Sequence, residues 1–348
     1  MLDDSLARIA ARLPGKSRSP MGLTPKSHSS ARNTSTANAA AQNIAKPKRQ
    51  SKRTVCFKSI MIPLFLTQIR TRDGLILDGV MIEPRKKSDA ALVWIHGLTS
   101  SFYSSPTLIK ELSDLCQKNG IGYFKFNTRG HDVVARGHDT HPLLGTVYEQ
   151  FEDCVHDIRA IIRCARKRGY KKIILAGHST GANKTLYYLY KTRDRNVKGI
   201  VLLGAANDIS AEIKRVGEKI YEKELRLAQR LNRRDPSALF ASQGYLFTAR
   251  RALSLFTPGA PEDVFPYYDP KARWKELRSI RVPTAVIFGS KDACLNRPAP
   301  KIIDLFRANA PLAKSFSGVI IKNADHGFKG KEKELSRAII RWIKTLLR

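Results

Sequence analysis

From Pro63 onward the chain alternates short apolar runs with stretches in which apolar residues recur every three or four positions. Residues 90–96, 121–127, 171–176, 197–203, 283–288 and 317–321 are apolar runs of strand length and read as buried strands. Between them, residues 105–119 place Leu108, Ile109, Leu112 and Leu115 on one helical face. Residues 151–168, 180–190, 299–308 and 331–347 carry the same helical period. Residues 64–70 and 75–82 flank the turn Thr71-Arg72-Asp73-Gly74 and read as a hairpin. Strand and helix alternating in this way predict an α/β fold, a mostly parallel sheet with helices on both faces.

The alternation stops between residues 208 and 281. That stretch opens with a charged helical pattern over residues 210–232 and continues through Pro236, Pro258, Pro261, Pro266 and Pro270. Inserted between two sheet strands, it would lie over the strand ends as a cap. Phe240, Tyr245, Leu246, Phe247 and Leu255, mixed with Arg250 and Arg251, either line a substrate pocket or pack the cap onto the sheet. Residues 1–60 lack a sustained hydrophobic period and read as a disordered basic tail. Organelle targeting, or a gene-model extension with Met61 near the true start, are the alternatives for that segment. The expected organisation is therefore a tail (1–60), a first core part (61–207), a cap (208–281) and a second core part (282–348).

Charge changes the picture more than length does. The 348 residues carry a net charge of +32. Residues 1–62 hold twelve Lys/Arg and two acids, so the part downstream, at net +22, is basic too. Such a surface favours nonspecific contact with anions. No nucleic-acid motif with interleaved aromatics accompanies it. No apolar run approaches the roughly 18 residues of a membrane span. The five cysteines form no C-x-x-C pair, and the odd count reads as a reduced chain. A soluble, cytoplasmic protein is expected, with organelle targeting by residues 1–60 as the alternative.

The chemistry sits at the strand ends. Gly177-His178-Ser179-Thr180-Gly181 lies between a buried-strand run and a helical stretch, the context a nucleophile elbow requires. A sharp turn there pushes the Ser179 hydroxyl into open space, and its crowding demands small residues two positions before and after. A serine nucleophile needs a base. His326, in the loop after the last strand, lies at the sheet edge where α/β folds bind ligands. Asp292, after the strand at 283–288, is the carboxylate that would orient it. Asp325, adjacent to the histidine, is a weaker rival. The oxyanion of a tetrahedral intermediate needs backbone donors. The Thr180 N–H supplies one, and the Leu98 N–H, aimed by the turn at Gly97, a second. His178 reads as packing or hydrogen bonding beside the nucleophile. Asp132, His138, Asp139 and His141 cluster after residues 127–129, a weak metal signal better read as a polar rim.

The His96-Gly97 loop, the Gly177–Gly181 pentapeptide, Asp292, His326 and the segment Asn127-Thr128-Arg129-Gly130-His131 together resemble the alpha/beta hydrolase superfamily. The resemblance spans about residues 64–348. It implies an eight-stranded sheet with a lid and hydrolysis of an ester, thioester or amide. Serine at 179 argues against the dehalogenase and epoxide hydrolase branches, whose elbow carries aspartate. The expected activity is a serine hydrolase that takes a small-molecule acyl or ester substrate through an acyl-enzyme, with no metal or organic cofactor. The alternatives are an acyltransferase, or a non-catalytic scaffold that binds polyanion or membrane through its basic surface.

Overall fold

The computed structural model describes residues 65–86, 88–138, 141–242 and 245–347. The tail expected over residues 1–60 lies outside them.

Eight strands form one sheet: β1 (Phe65–Arg70), β2 (Ile76–Ile82), β3 (Ala90–Ile95), β4 (Gly122–Phe126), β7 (Lys172–His178), β8 (Val197–Leu203), β11 (Thr284–Gly289) and β12 (Phe316–Ile321). Two short hairpins stand apart from it, β5 (Ala135–His138) with β6 (His141–Leu144), and β9 (Leu239–Ser242) with β10 (Tyr245–Thr248). The sheet order is β1-β2-β4-β3-β7-β8-β11-β12. Only β2 runs against its neighbours; the pairs from β4 to β12 are parallel. Parallel neighbours need crossovers, and the amphipathic segments supply them. The crossover helices are α1 (Pro106–Lys118), α2 (Cys154–Lys167), α3 (Thr180–Thr192) and, beyond the insertion, α8 (Ala299–Ala308), and the chain closes on α9 (Glu332–Leu347).

Central strands are buried on both faces, so their side chains alternate between two cores. Along β3, Ala91, Val93 and Ile95 face the layer built from α2, α3 and α8, where Ile158, Ile161, Leu186 and Phe306 pack. Leu92 and Trp94 face the opposite layer, with Leu108, Ile109 and Leu112 of α1 and Leu335, Ile339 and Ile343 of α9. Strand β7 repeats the division, Ile173 and Leu175 on one side and Ile174 and Ala176 on the other. β7 therefore sits mid-sheet, buried on both faces, and its C-terminal end is a rigid mount.

The insertion between β8 and β11 differs from the single charged helix expected over residues 210–232. It opens as two helices, α4 (Asp208–Val216) and α5 (Glu218–Arg234). Gly217, at φ 83°, breaks them apart in a backbone region that side-chain-bearing residues avoid. The chain then turns through the β9–β10 hairpin, α6 (Ala249–Phe256) and the single turn α7 (Lys275–Arg278). The insertion is thus mixed, not the helical cap expected. Phe240, Phe247 and Leu255 are buried in the insertion's own small core with Ala228 and Ala252, so they pack within the insertion rather than onto the sheet. Leu246 and Leu239 are exposed. Among the described residues no helix is long and apolar enough to cross a membrane.

Candidate active site

Ser179 is the single residue between the end of β7 and the start of α3. Its backbone sits at φ 55°, ψ −128°, a strained conformation that costs on the order of 1–3 kcal/mol. Two bonds hold it there: its N–H donates to the Leu203 carbonyl at 2.8 Å, and its own carbonyl accepts from Ala182 N–H at 2.8 Å. The turn explains both flanking glycines. A Cβ on Gly177 would overlap the Gly181 carbonyl, and one on Gly181 would overlap the Ile95 carbonyl of β3.

The loops after β11 and β12 bring the other two groups to that turn. His326 Nε2 lies 3.0 Å from Ser179 Oγ, and His326 Nδ1 lies 3.0 Å from each carboxylate oxygen of Asp292. The Asp292 side chain is fully buried, while that of His326 is 25% exposed. A buried carboxylate keeps its charge only when its oxygens are satisfied, and the Cys294 N–H donates a further bond to Asp292 Oδ1 at 2.9 Å. Burial pulls the His326 pKa down, but the hydrogen bond and charge of Asp292, with Cys294 beside the ring, outweigh it and raise the pKa to about 10. Asp325 turns outward: it is exposed, and its Oδ1 accepts from the Lys329 N–H at 2.9 Å. His178 donates Nε2–H to the His326 carbonyl at 2.8 Å and fixes the backbone of that loop. Burial, then the nearby His326 charge, lower its pKa to about 4, so it stays neutral in this role.

The loop after β3 abuts the serine. A Cβ built on Gly97 would come within 2.9 Å of both the His178 carbonyl and Ser179 Cβ, so only glycine lets this backbone approach. The Thr180 N–H heads α3 with no acceptor in its own helix. The Leu98 side chain packs on the cap core. His96 braces the loop. Its Nδ1–H donates to the Gly97 carbonyl at 2.9 Å, which leaves Nε2 to accept from Thr128 N–H at 2.9 Å. Burial and then the Lys184 charge hold the His96 pKa well below its ordinary value, which keeps Nε2 free to accept.

Below the site runs a set of buried charges that the sequence did not single out. Lys184 of α3 pairs with Glu149, and Arg251 of α6 pairs with both Glu149 and Glu262. All four side chains are at most 1% exposed. Lys184 Nζ also donates to Thr128 Oγ1 at 3.2 Å, which ties the set to the His96 loop. In the segment after β4, Arg129 grips buried Asp157 and reaches Asp73 and Asp153. Asp208 opens the cap within the field of His326; burial, then Glu262, raise its pKa to about 8. Arg129 stands in the segment Asn127–His131 and Asp73 in the turn at 71–74, but no sequence signal marked the pairings among these residues. Of the weak metal signal, Asp132 bonds to Tyr103 Oη at 2.7 Å and to His131 Nδ1 at 2.9 Å. Asp139 and the side chains of His138 and His141 lie outside the described residues.

Sheet order, crossover layers and elbow define the alpha/beta hydrolase fold. Within it, the chain belongs to the family described as "Protein of unknown function (DUF1749)", whose model matches residues 63–348. No curated protein matches the chain in sequence. Solved structures do match in fold. The siderophore hydrolase EstB from Aspergillus fumigatus is 15% identical, with a TM-score of 0.61 over 82% of this chain and 98% of that one. A soluble variant of monoglyceride lipase from Saccharomyces cerevisiae, in complex with a substrate analogue, is 12% identical, with a TM-score of 0.59 over 83% and 97%. Est1E from Butyrivibrio proteoclasticus, with ferulic acid bound, is 17% identical, with a TM-score of 0.57 over 81% and 99%.

Proposed function

We propose that the protein is a serine hydrolase that cleaves a carboxylic ester or closely related acyl compound. The observation that carries this reading is the unbroken chain of contacts from Ser179 Oγ through His326 to both oxygens of Asp292, each step at 3.0 Å. In the reactive form, Nδ1–H donates to Asp292 and leaves Nε2 to take the Ser179 proton. Ser179 Oγ then attacks the substrate carbonyl. The Leu98 and Thr180 N–H groups face the oxygen on which charge develops. His326 returns the proton to the leaving alcohol, an acyl-enzyme forms, and water activated by His326 releases the acid. The likeness in fold to a siderophore hydrolase and to a monoglyceride lipase supports the ester class; the cap over residues 208–281 would select the particular acyl group.

The test is labelling with a fluorophosphonate probe, followed by hydrolysis of p-nitrophenyl esters of increasing acyl length. Stoichiometric labelling that Ser179→Ala abolishes, with turnover of at least one short-chain ester, is the expected result. An unlabelled wild-type protein would mean that the serine is not activated, and the scaffold alternative would take its place.

A further inference from the structure

Asp292 does not stand alone after β11. Two residues on, Cys294 is partly exposed, and one ligand atom each from Asp292, Cys294 and His326 all lie within 4.8 Å of one another. This thiol neither attacks the substrate nor carries a proton in the ester chemistry proposed above. Thiolate, imidazole and carboxylate are the ligands that suit zinc. A tetrahedral site with bonds of about 2.0–2.3 Å spaces its ligand atoms by roughly 3.3–3.7 Å. Small rotations of Cys294 and His326 would close the group to that spacing. Its open side is set by the exposure of Cys294 and of the His326 ring, while Asp292 is buried behind them.

We propose that Cys294, Asp292 and His326 form an inhibitory binding site for a soft divalent cation, with Zn²⁺ as the best-matched ion. Its ligands would be Cys294 Sγ, a carboxylate oxygen of Asp292 and His326 Nδ1, with water in the fourth position. The effect on catalysis rests on the serine hydrolase reading; the binding itself does not. Binding changes the histidine tautomer. Nδ1 gives up its proton to solvent to hold the metal, and Nε2 keeps or takes up a proton, so the metal-bound ring is a neutral imidazole protonated at Nε2. The thiol releases its proton to solvent. With Nε2 protonated, His326 can no longer accept the Ser179 proton, and the carboxylate that oriented the ring is engaged elsewhere. One thiolate and one carboxylate balance the two charges of the ion, which offsets entry into a protein of net charge +32. Hard ions that prefer all-oxygen shells, such as Mg²⁺, gain little from this donor set.

The test uses the full chain and two readouts. Co²⁺, titrated as a spectroscopic stand-in for zinc, should give a thiolate-to-cobalt absorption band in the wild type and in Ser179→Ala. The band should vanish in Cys294→Ser and Cys294→Ala, two variants chosen so that one misfolded protein cannot decide the matter. In the ester assay, Zn²⁺ should inhibit the wild type and Mg²⁺ should not. The half-inhibitory Zn²⁺ concentration should rise by at least about 10- to 100-fold in the Cys294 variants, since losing even an outer-shell partner costs that much. A band that persists without Cys294 would overturn the site. Zinc inhibition of equal strength in wild type and variants would overturn the switch, as would a Cys294-dependent band with no inhibition. If no ester is turned over at all, the hydrolase reading fails, yet the cobalt band and its dependence on Cys294 still decide the metal site.

Discussion

Asp292→Asn replaces the carboxylate behind His326 with an amide of nearly the same shape. In the wild type both Asp292 oxygens lie 3.0 Å from Nδ1, and the surroundings raise the histidine from its ordinary 6.5 to about 10. At about 1.4 kcal/mol per tenfold change in proton affinity, that corresponds to about 5 kcal/mol in favour of the imidazolium, the species formed when Ser179 is deprotonated. Cys294 shares in that figure, so the carboxylate accounts for a part of it. A loss of about 3–5 kcal/mol at the transition state means a rate lower by roughly 10²–10⁴, and the serine protease precedent for the same exchange is about 10⁴. The pH profile carries a second signature. The base must be unprotonated to act, so kcat/KM of the wild type should climb as pH rises through a limb well alkaline of 6.5. In Asp292→Asn, burial is left as the main influence and acts downward, so the limb should move to lower pH. The assay is kcat/KM for a p-nitrophenyl ester from pH 5 to 10.5, corrected for spontaneous hydrolysis. A variant within tenfold of wild type with an unmoved limb would refute the reasoning, most directly if Asp325→Asn were the inactive one.

Ser179→Ala should lower turnover by about 10³-fold or more while the far-UV circular dichroism spectrum stays unchanged, because only the nucleophilic oxygen is lost. Gly181→Ala should give a destabilised or insoluble protein, since the new methyl overlaps the Ile95 carbonyl; thermal melting compared with wild type reads this out. Glu149→Ala leaves Lys184 and Arg251 with reduced compensation in the interior and should cost about 3–5 kcal/mol in urea unfolding. For His178, the folded pKa of about 4 lies below the unfolded value of 6.5. Between those values the unfolded chain binds the extra proton, so stability is intact above 6.5 and falls by up to about 3 kcal/mol as pH drops to 4. His178→Gln should flatten the melting temperature against pH over that window, and an unaltered slope would remove His178 as the cause.

The parts legible in the sequence are those where one local signal suffices. Strands β3, β7, β8 and β11 are continuous apolar runs because both of their faces are covered, and α1 and α9 show their period because only one face is. The elbow is legible because its glycines answer to backbone contacts within five residues and on the adjacent strand. The charged pattern over residues 210–232 concealed a break, because a lone glycine inside a helical period is tolerated often enough not to announce an end; its positive φ at Gly217 is a tertiary choice. The β5–β6 and β9–β10 hairpins have four-residue strands, too short for a period of two to rise above chance. The buried ion pairs beside the site stayed hidden for a different reason. Glu149 and Arg251 are 102 positions apart, and Thr128 and Lys184 are 56 apart, so each looks like an ordinary surface residue until the fold joins them.

That hidden layer decides how the cap relates to the chemistry. Arg251 lies in the first turn of α6, held between Glu149 of the core and Glu262 of the insertion, and its Nε donates to the Thr146 carbonyl at 3.3 Å. Thr146 Oγ1 in turn accepts from the Thr99 N–H at 2.8 Å, one residue beyond the Leu98 amide. The insertion is therefore fastened to the same buried ions that brace the loop after β3 through Thr128 and His96. Ion pairs this deep add little net stability over apolar packing, because desolvation consumes most of their attraction. What they supply is geometry: a charge that finds its partner in only one arrangement fixes where α6 and the Leu98 loop stand relative to Ser179. Replacing Arg251, Lys184 and their two glutamates together by apolar residues of similar volume, so that no buried charge is left unpaired, would then test position apart from stability. The expected outcome is an unfolding free energy at or above wild type with a reduced kcat for esters, because the loop after β3 loses its brace. Equal kcat in that quadruple variant would show that packing alone holds the loop.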